Sequence, residues 1–65
     1  MTDLQKEIIL SMADHNMNKA EVAKAIYFSR GGVLYQCDVI KQKTGLDPRN
    51  FYDLIKLVEM VKEDE

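Results

Sequence analysis

Apolar residues recur at helical spacing along most of the chain, and polar or glycine punctuation divides them into four segments. Leu4, Ile8 and Met12 fall at i, i+4 and i+8, with Ile9 widening the stripe, so the spacing predicts a helix over about residues 2–14. His15-Asn16-Met17 ends it, with Asn16 as a left-handed cap. Asn18 and Glu21 have capping-box spacing and open a second helix over about residues 19–26. Val22, Ala23 and Ile26 form its apolar side, and Ala23 is small enough for a close helix crossing. After a brief turn at Tyr27-Phe28, Ser29 caps a third helix over about residues 30–44. Its inward stripe is Val33, Cys37, Ile40 and Thr44, and its other side presents Gly32, Tyr35, Gln36, Val39 and Lys43. Gly45 stops it. Asp47 as N-cap and Pro48 at the first helical position predict a fourth helix over about residues 48–62. Leu54, Leu57, Val58 and Val61 make its apolar face, flanked by Phe51 and Ile55, and the acidic end Glu63-Asp64-Glu65 is expected to fray. No segment alternates like a strand. The expected fold class is all-α, a single small four-helix domain.

Composition narrows what such a domain can do. With 65 residues the chain buries only about 60% of its unfolded surface, so its margin of stability is thin. Cys37 is the one cysteine and His15 the one histidine, which leaves no disulfide and no metal-ligand spacing, and no cofactor is expected. Cys37 reads as core rather than nucleophile, because no histidine pairs with it in sequence. There is no glycine-rich phosphate loop and no nucleophile with its base, so an enzyme is not expected. The first residues lack a signal-peptide pattern, and Ile8-Ile9-Leu10 is too short to span a membrane, which points to the cytoplasm. The net charge of −2 hides an uneven distribution. Residues 15–45 carry five bases (Lys19, Lys24, Arg30, Lys41, Lys43) against two acids (Glu21, Asp38), and both ends of the chain are acidic.

A short helix, a tight turn and a second helix with alanine at the crossing follow the helix-turn-helix plan. The stretch "NMNKAEVAKAIYFSRGGVLYQCDVIKQKTGLD", residues 16 to 47, resembles the C-terminal helix-turn-helix domain of PucR-type transcription regulators. Asn16 and Asn18 match that family's asparagines. Glu21, Ala23 and Ala25 match its second helix, Arg30 and Tyr35 its recognition segment, and Ile40 with Thr44-Gly45-Leu46-Asp47 the end of that segment. The apolar helix that follows, through about Val61, also fits. A Fis-type helix-turn-helix is the nearest confusable family. The sequence departs from the family after Arg30: an Asn-Thr pair is Gly31-Gly32 here, an arginine is Gln36 and a lysine is Asp38. The family's module follows large sensor domains, so this chain corresponds to a stand-alone or excised version. The resemblance implies double-stranded DNA as partner and a role in transcription regulation.

The candidate DNA contacts are Lys19, Ser29, Arg30, Gly31, Gly32, Tyr35, Gln36 and Lys43. Arg30 has the donors to clamp guanine or a phosphate, and Gln36 those to pair with adenine. Tyr35 offers a phosphate hydrogen bond, its plainer alternative being packing against the second helix. Lys19 and Lys43, with Lys24 and Lys41, supply sequence-independent attraction. Ser29 and the two glycines open the third helix. Their backbone amides can approach a phosphate, or the glycines simply relax the turn and delay the helix start. A homodimer is expected from apolar surface beyond what a minimal core needs, at Ile9, Phe51, Tyr52 and Ile55, joined by Leu10 and Met60. The alternative is a protein-protein interaction module on a helix-turn-helix scaffold that no longer binds DNA, suggested by the glycines, Asp38 and the acidic ends.

Overall fold

The computed structural model describes residues 1–64, which form α1 (Asp3–Asp14), α2 (Lys19–Ala25), α3 (Arg30–Thr44) and α4 (Phe51–Glu63). The fold is all-α, with no strand among the described residues. No helix there is long and apolar enough to cross a membrane.

Side chains close the start of each helix locally. At α1 the Gln5 amide donates to Thr2 Oγ1 and the Thr2 amide donates to Gln5 Oε1, both at 3.1 Å, a complete capping box. The helix ends with Asn16 at φ 53° and Met17 at φ 65°, and the Met17 amide reaches back to the Met12 carbonyl at 2.7 Å. Asn18 caps α2 by accepting from the amides of Ala20 and Glu21 at 3.1 and 3.2 Å. Only this half of the expected box forms. The Asn18 amide donates instead to the His15 carbonyl at 3.0 Å, and the Glu21 carboxylate pairs with Lys24 at 3.7 Å. Ser29 caps α3, and Gly45 at φ 76° ends it.

The start of α4 differs from the expectation that Asp47 is its N-cap. Asp47 Oδ1 accepts from the Arg49 amide and from Arg49 Nε, both at 2.9 Å, and is not available to a helix amide. Residues Asp47 to Asn50 make a β-turn, with the Asn50 amide on the Asp47 carbonyl at 2.9 Å and Pro48 at its second position, where proline's fixed φ fits. Asn50 is the actual N-cap, accepting from the Asp53 amide at 3.1 Å. At the other end Asp64 does not fray: it caps α4 and pairs with Lys6 at 3.0 Å. Glu65 lies outside the described residues.

The core joins Ile8, Ile9 and Met12 of α1 to Val22 and Ala23, to Val33, Cys37 and Ile40, and to Leu54, Leu57 and Val61. α1 packs against all three other helices and is the central element. That explains its wide apolar stripe: Ile8, Ile9 and Met12 are all fully buried. Each such side chain contributes about 1.5–3 kcal/mol on burial. Ile9, at 0% exposure, therefore cannot belong to a dimer interface. Ala23 is buried where α2 crosses its neighbours, as its size suggested.

Candidate nucleic-acid interface

The candidate site is the unit α2, turn, α3. The α2 helix ends in a Schellman motif. The Phe28 amide donates to the Ala23 carbonyl at 2.8 Å, and the Tyr27 amide to that of Lys24 at 3.3 Å. This geometry puts the residue between them, Tyr27, at φ 56°. Phe28 then turns back over the start of α3. A Cβ placed on Gly32 would lie 2.8 Å from Phe28 Cδ2 and 2.9 Å from Ser29 Oγ, and would collide with Phe28 Cε2.

The two glycines therefore have different reasons. Gly32 is the floor on which the Phe28 ring rests, and its amide already donates to Ser29 Oγ at 2.9 Å. Gly31 meets nothing within 4 Å, so its backbone is open to an approaching ligand. Neither delays the helix, which begins at Arg30 with both glycines inside its first turn. A close backbone approach is thus open at Gly31 and obstructed at Gly32.

Around Gly31 lie exposed side chains. Arg30 is exposed and joins no ion pair among the described residues. Tyr35 is 64% exposed, so most of its ring faces solvent. Lys19, the first residue of α2, is half-buried and unpaired among the described residues. Burial is the dominant effect on Cys37 and pushes its thiol up, in keeping with a core residue.

Two of the expected contacts are not brought to this place. Gln36 Oε1 accepts from Gln5 Nε2 at 3.2 Å, and Gln5 is itself only 3% exposed. The amide that would read adenine is half-buried and committed to α1. Lys43 is exposed but sits thirteen residues after Arg30, about 20 Å along the helix at 1.5 Å per residue. It lines a separate cavity of about 550 Å³ with Met1, Thr44, Met60, Glu63 and Asp64.

The outward stripe of α3 is Gly31, Tyr35, Asp38 and Gln42, at i, i+4, i+7 and i+11, all exposed. It contains no cation. Asp38 does not stand alone on it, because Arg49 Nη2 donates to Asp38 Oδ1 at 2.7 Å and also bonds Asp47. This shared guanidinium holds the Asp47 carboxyl below the usual carboxylate range.

A second surface lies on α4. Phe51, Tyr52, Ile55 and Met60 are exposed, and the Phe51 and Tyr52 rings meet edge to face at 5.6 Å. Beside them an apolar groove of about 510 Å³ runs between the end of α1, at Ala13 and Met17, and α4, at Phe51, Ile55 and Val58.

Sequence reasoning missed Tyr27, which is 96% exposed, and Gln5. Gln5 falls at i, i+3 and i+7 with Ile8 and Met12, a position inside the apolar stripe that signals burial. No protein-family model matches the chain, and neither does any curated protein or solved structure. The likeness to PucR-type domains rests on the matched residues alone.

Proposed function

We propose that this protein is a DNA-binding helix-turn-helix protein acting in transcription regulation, with the first turns of α3 directed into the major groove. The observation that carries the reading is the exposed Arg30, unpaired among the described residues, beside the open Gly31 backbone at the start of a 15-residue helix. That is where helix-turn-helix proteins present base contacts. Arg30 is the chief contact, to guanine or phosphate. Tyr35 reaches a backbone oxygen, and Lys19, at the start of α2, adds sequence-independent attraction. With Gln36 held by Gln5, direct base reading falls to Arg30, and sequence-dependent DNA shape supplies the remaining specificity. Binding of random-sequence duplex DNA, followed by fluorescence anisotropy at two salt concentrations, tests this reading. Affinity that falls as salt rises supports it, and no binding at low salt sinks it.

A homodimer extends the proposal. Its surface is the exposed face of α4, with Phe51, Tyr52 and Ile55 and without Ile9. Ultracentrifugation at tens of micromolar should show a dimer that Tyr52→Lys with Ile55→Lys converts to monomer; a wild-type monomer removes the claim.

A second reading has its own observation. The cation-free stripe Gly31, Tyr35, Asp38, Gln42 suits a protein partner better than a phosphate backbone. It becomes the preferred account if DNA binding is absent at low salt.

A further inference from the structure

Tyr27 combines three features that together call for an explanation. It occupies the C′ position that ends α2, at φ 56°, where glycine or asparagine is the usual occupant. A left-handed backbone costs an aromatic residue roughly 1–3 kcal/mol. At 96% exposure, its side chain returns nothing to the fold through packing. Of the other residues with a left-handed backbone, Asn16 and Gly45 tolerate the conformation, and Met17, at φ 65°, packs its side chain against the core, which Tyr27 does not.

The backbone around Tyr27 is nevertheless held firmly. Its neighbour Phe28 is pinned by the bond from its amide to the Ala23 carbonyl and by its ring over Gly32. Gly32 thus makes room for the ring that fixes the turn. The result is a tyrosine whose backbone is fixed outward three residues before Arg30, so that only side-chain rotation is left to lose on binding. Tyrosine pairs a rigid body with one hydroxyl, which suits hydrogen bonding to a phosphate oxygen.

Resting on the DNA-binding reading, we propose that Tyr27 is a DNA-backbone contact: its phenol donates to a phosphate flanking the groove that α3 enters. This neutral contact positions the helix without reading sequence. It leaves the salt dependence of binding untouched, because no counterion is released by a neutral group.

The test uses random-sequence duplex DNA, anisotropy at two salt concentrations and thermal melting, with Tyr27→Phe, Tyr27→Gly and Arg30→Ala. Tyr27→Phe keeps the strained backbone and loses the hydroxyl. It should melt like the wild type and bind about fivefold more weakly, the value of one ordinary hydrogen bond. Tyr27→Gly relieves the backbone, so it should melt about 4–8 °C higher and bind at least as weakly as Tyr27→Phe. A more stable variant that binds less cannot be a folding defect. Both should keep the wild-type salt slope, whereas Arg30→Ala should lower it by about one. Unchanged affinity in both Tyr27 variants overturns the inference while leaving the DNA reading intact. So does weakening in Tyr27→Gly alone, which excludes the phenol, or a lower melting temperature for Tyr27→Gly, which removes the strain. Absence of wild-type binding at low salt overturns both.

Discussion

The corner between α3 and α4 and the turn between α2 and α3 use their polar residues in opposite ways. At the corner, Asp38, Asp47, Arg49, Asn50 and Asp53 are bonded to one another or to nearby backbone. Arg49 spans two carboxylates, Asn50 caps α4, and Asp53 Oδ2 accepts from the Asp47 amide at 3.1 Å. At the turn, Tyr27, Arg30 and Tyr35 point charge and hydroxyls at solvent, and Gly31 is bare. A small domain with a thin stability margin benefits from closing its polar groups locally. Where it leaves them open, in part on a strained backbone, the side chains are free for a partner. The corner is therefore architecture, and the turn is where we propose that recognition takes place.

The largest expected effect belongs to neither region and fixes the scale. Ile9→Ala should cost about 3 kcal/mol by denaturant unfolding, because it opens a cavity in the central helix. The loss should be the same at high and low protein concentration. A loss that grows with concentration would return Ile9 to an interface. At the corner, Arg49→Ala should cost about 1 kcal/mol, as it leaves Asp38 and Asp47 without their shared partner.

The two glycines at the turn should respond with opposite signs. Gly31→Ala meets open space inside a helix and should stabilise by about 0.5–1 kcal/mol. Gly32→Ala must displace the Phe28 ring and should destabilise. Equal effects at the two positions would mean that Phe28 does not rest on Gly32.

The smallest effect is a pH dependence at the corner. Asp47 is held below its ordinary value in the folded chain, chiefly by the hydrogen bond from Arg49. Its contribution is complete above the unfolded carboxylate value and is lost as pH falls below about 4, through the folded value. An acid unfolding series should show this loss in the wild type and a smaller one in Arg49→Ala. Identical acid profiles would detach Arg49 from the effect.

The sequence made the fold legible where a signal was local. Helical spacing located all four helices, and Asn18, Ser29 and Gly45 marked their ends. The start of α4 was not legible, because Asp47 and Asn50 are both good caps. The choice depends on Arg49, whose guanidinium and amide occupy the Asp47 carboxylate. Ile9 was misplaced because the width of a buried stripe depends on how many neighbours a helix has, and α1 has three. In the candidate site, Tyr35 is exposed as its spacing put it, but the outward stripe runs through Gly31, Asp38 and Gln42, and Gly32, Gln36 and Val39, expected on that side, are half-buried. Gln36 could not be judged locally, since its partner Gln5 is 31 residues away. Tyr27 left no trace, because nothing in an aromatic residue announces a left-handed backbone.

The contrast between turn and corner is tested most directly by measuring DNA affinity and melting temperature together for Arg30→Ala and Arg49→Ala. The account predicts that Arg30→Ala weakens binding to random-sequence duplex and lowers its salt slope by about one while melting like the wild type. Arg49→Ala should melt lower and, where folded, bind with unchanged affinity and slope. Arg30→Ala with wild-type binding, or Arg49→Ala with the greater loss of affinity, would contradict the assignment of recognition to the turn.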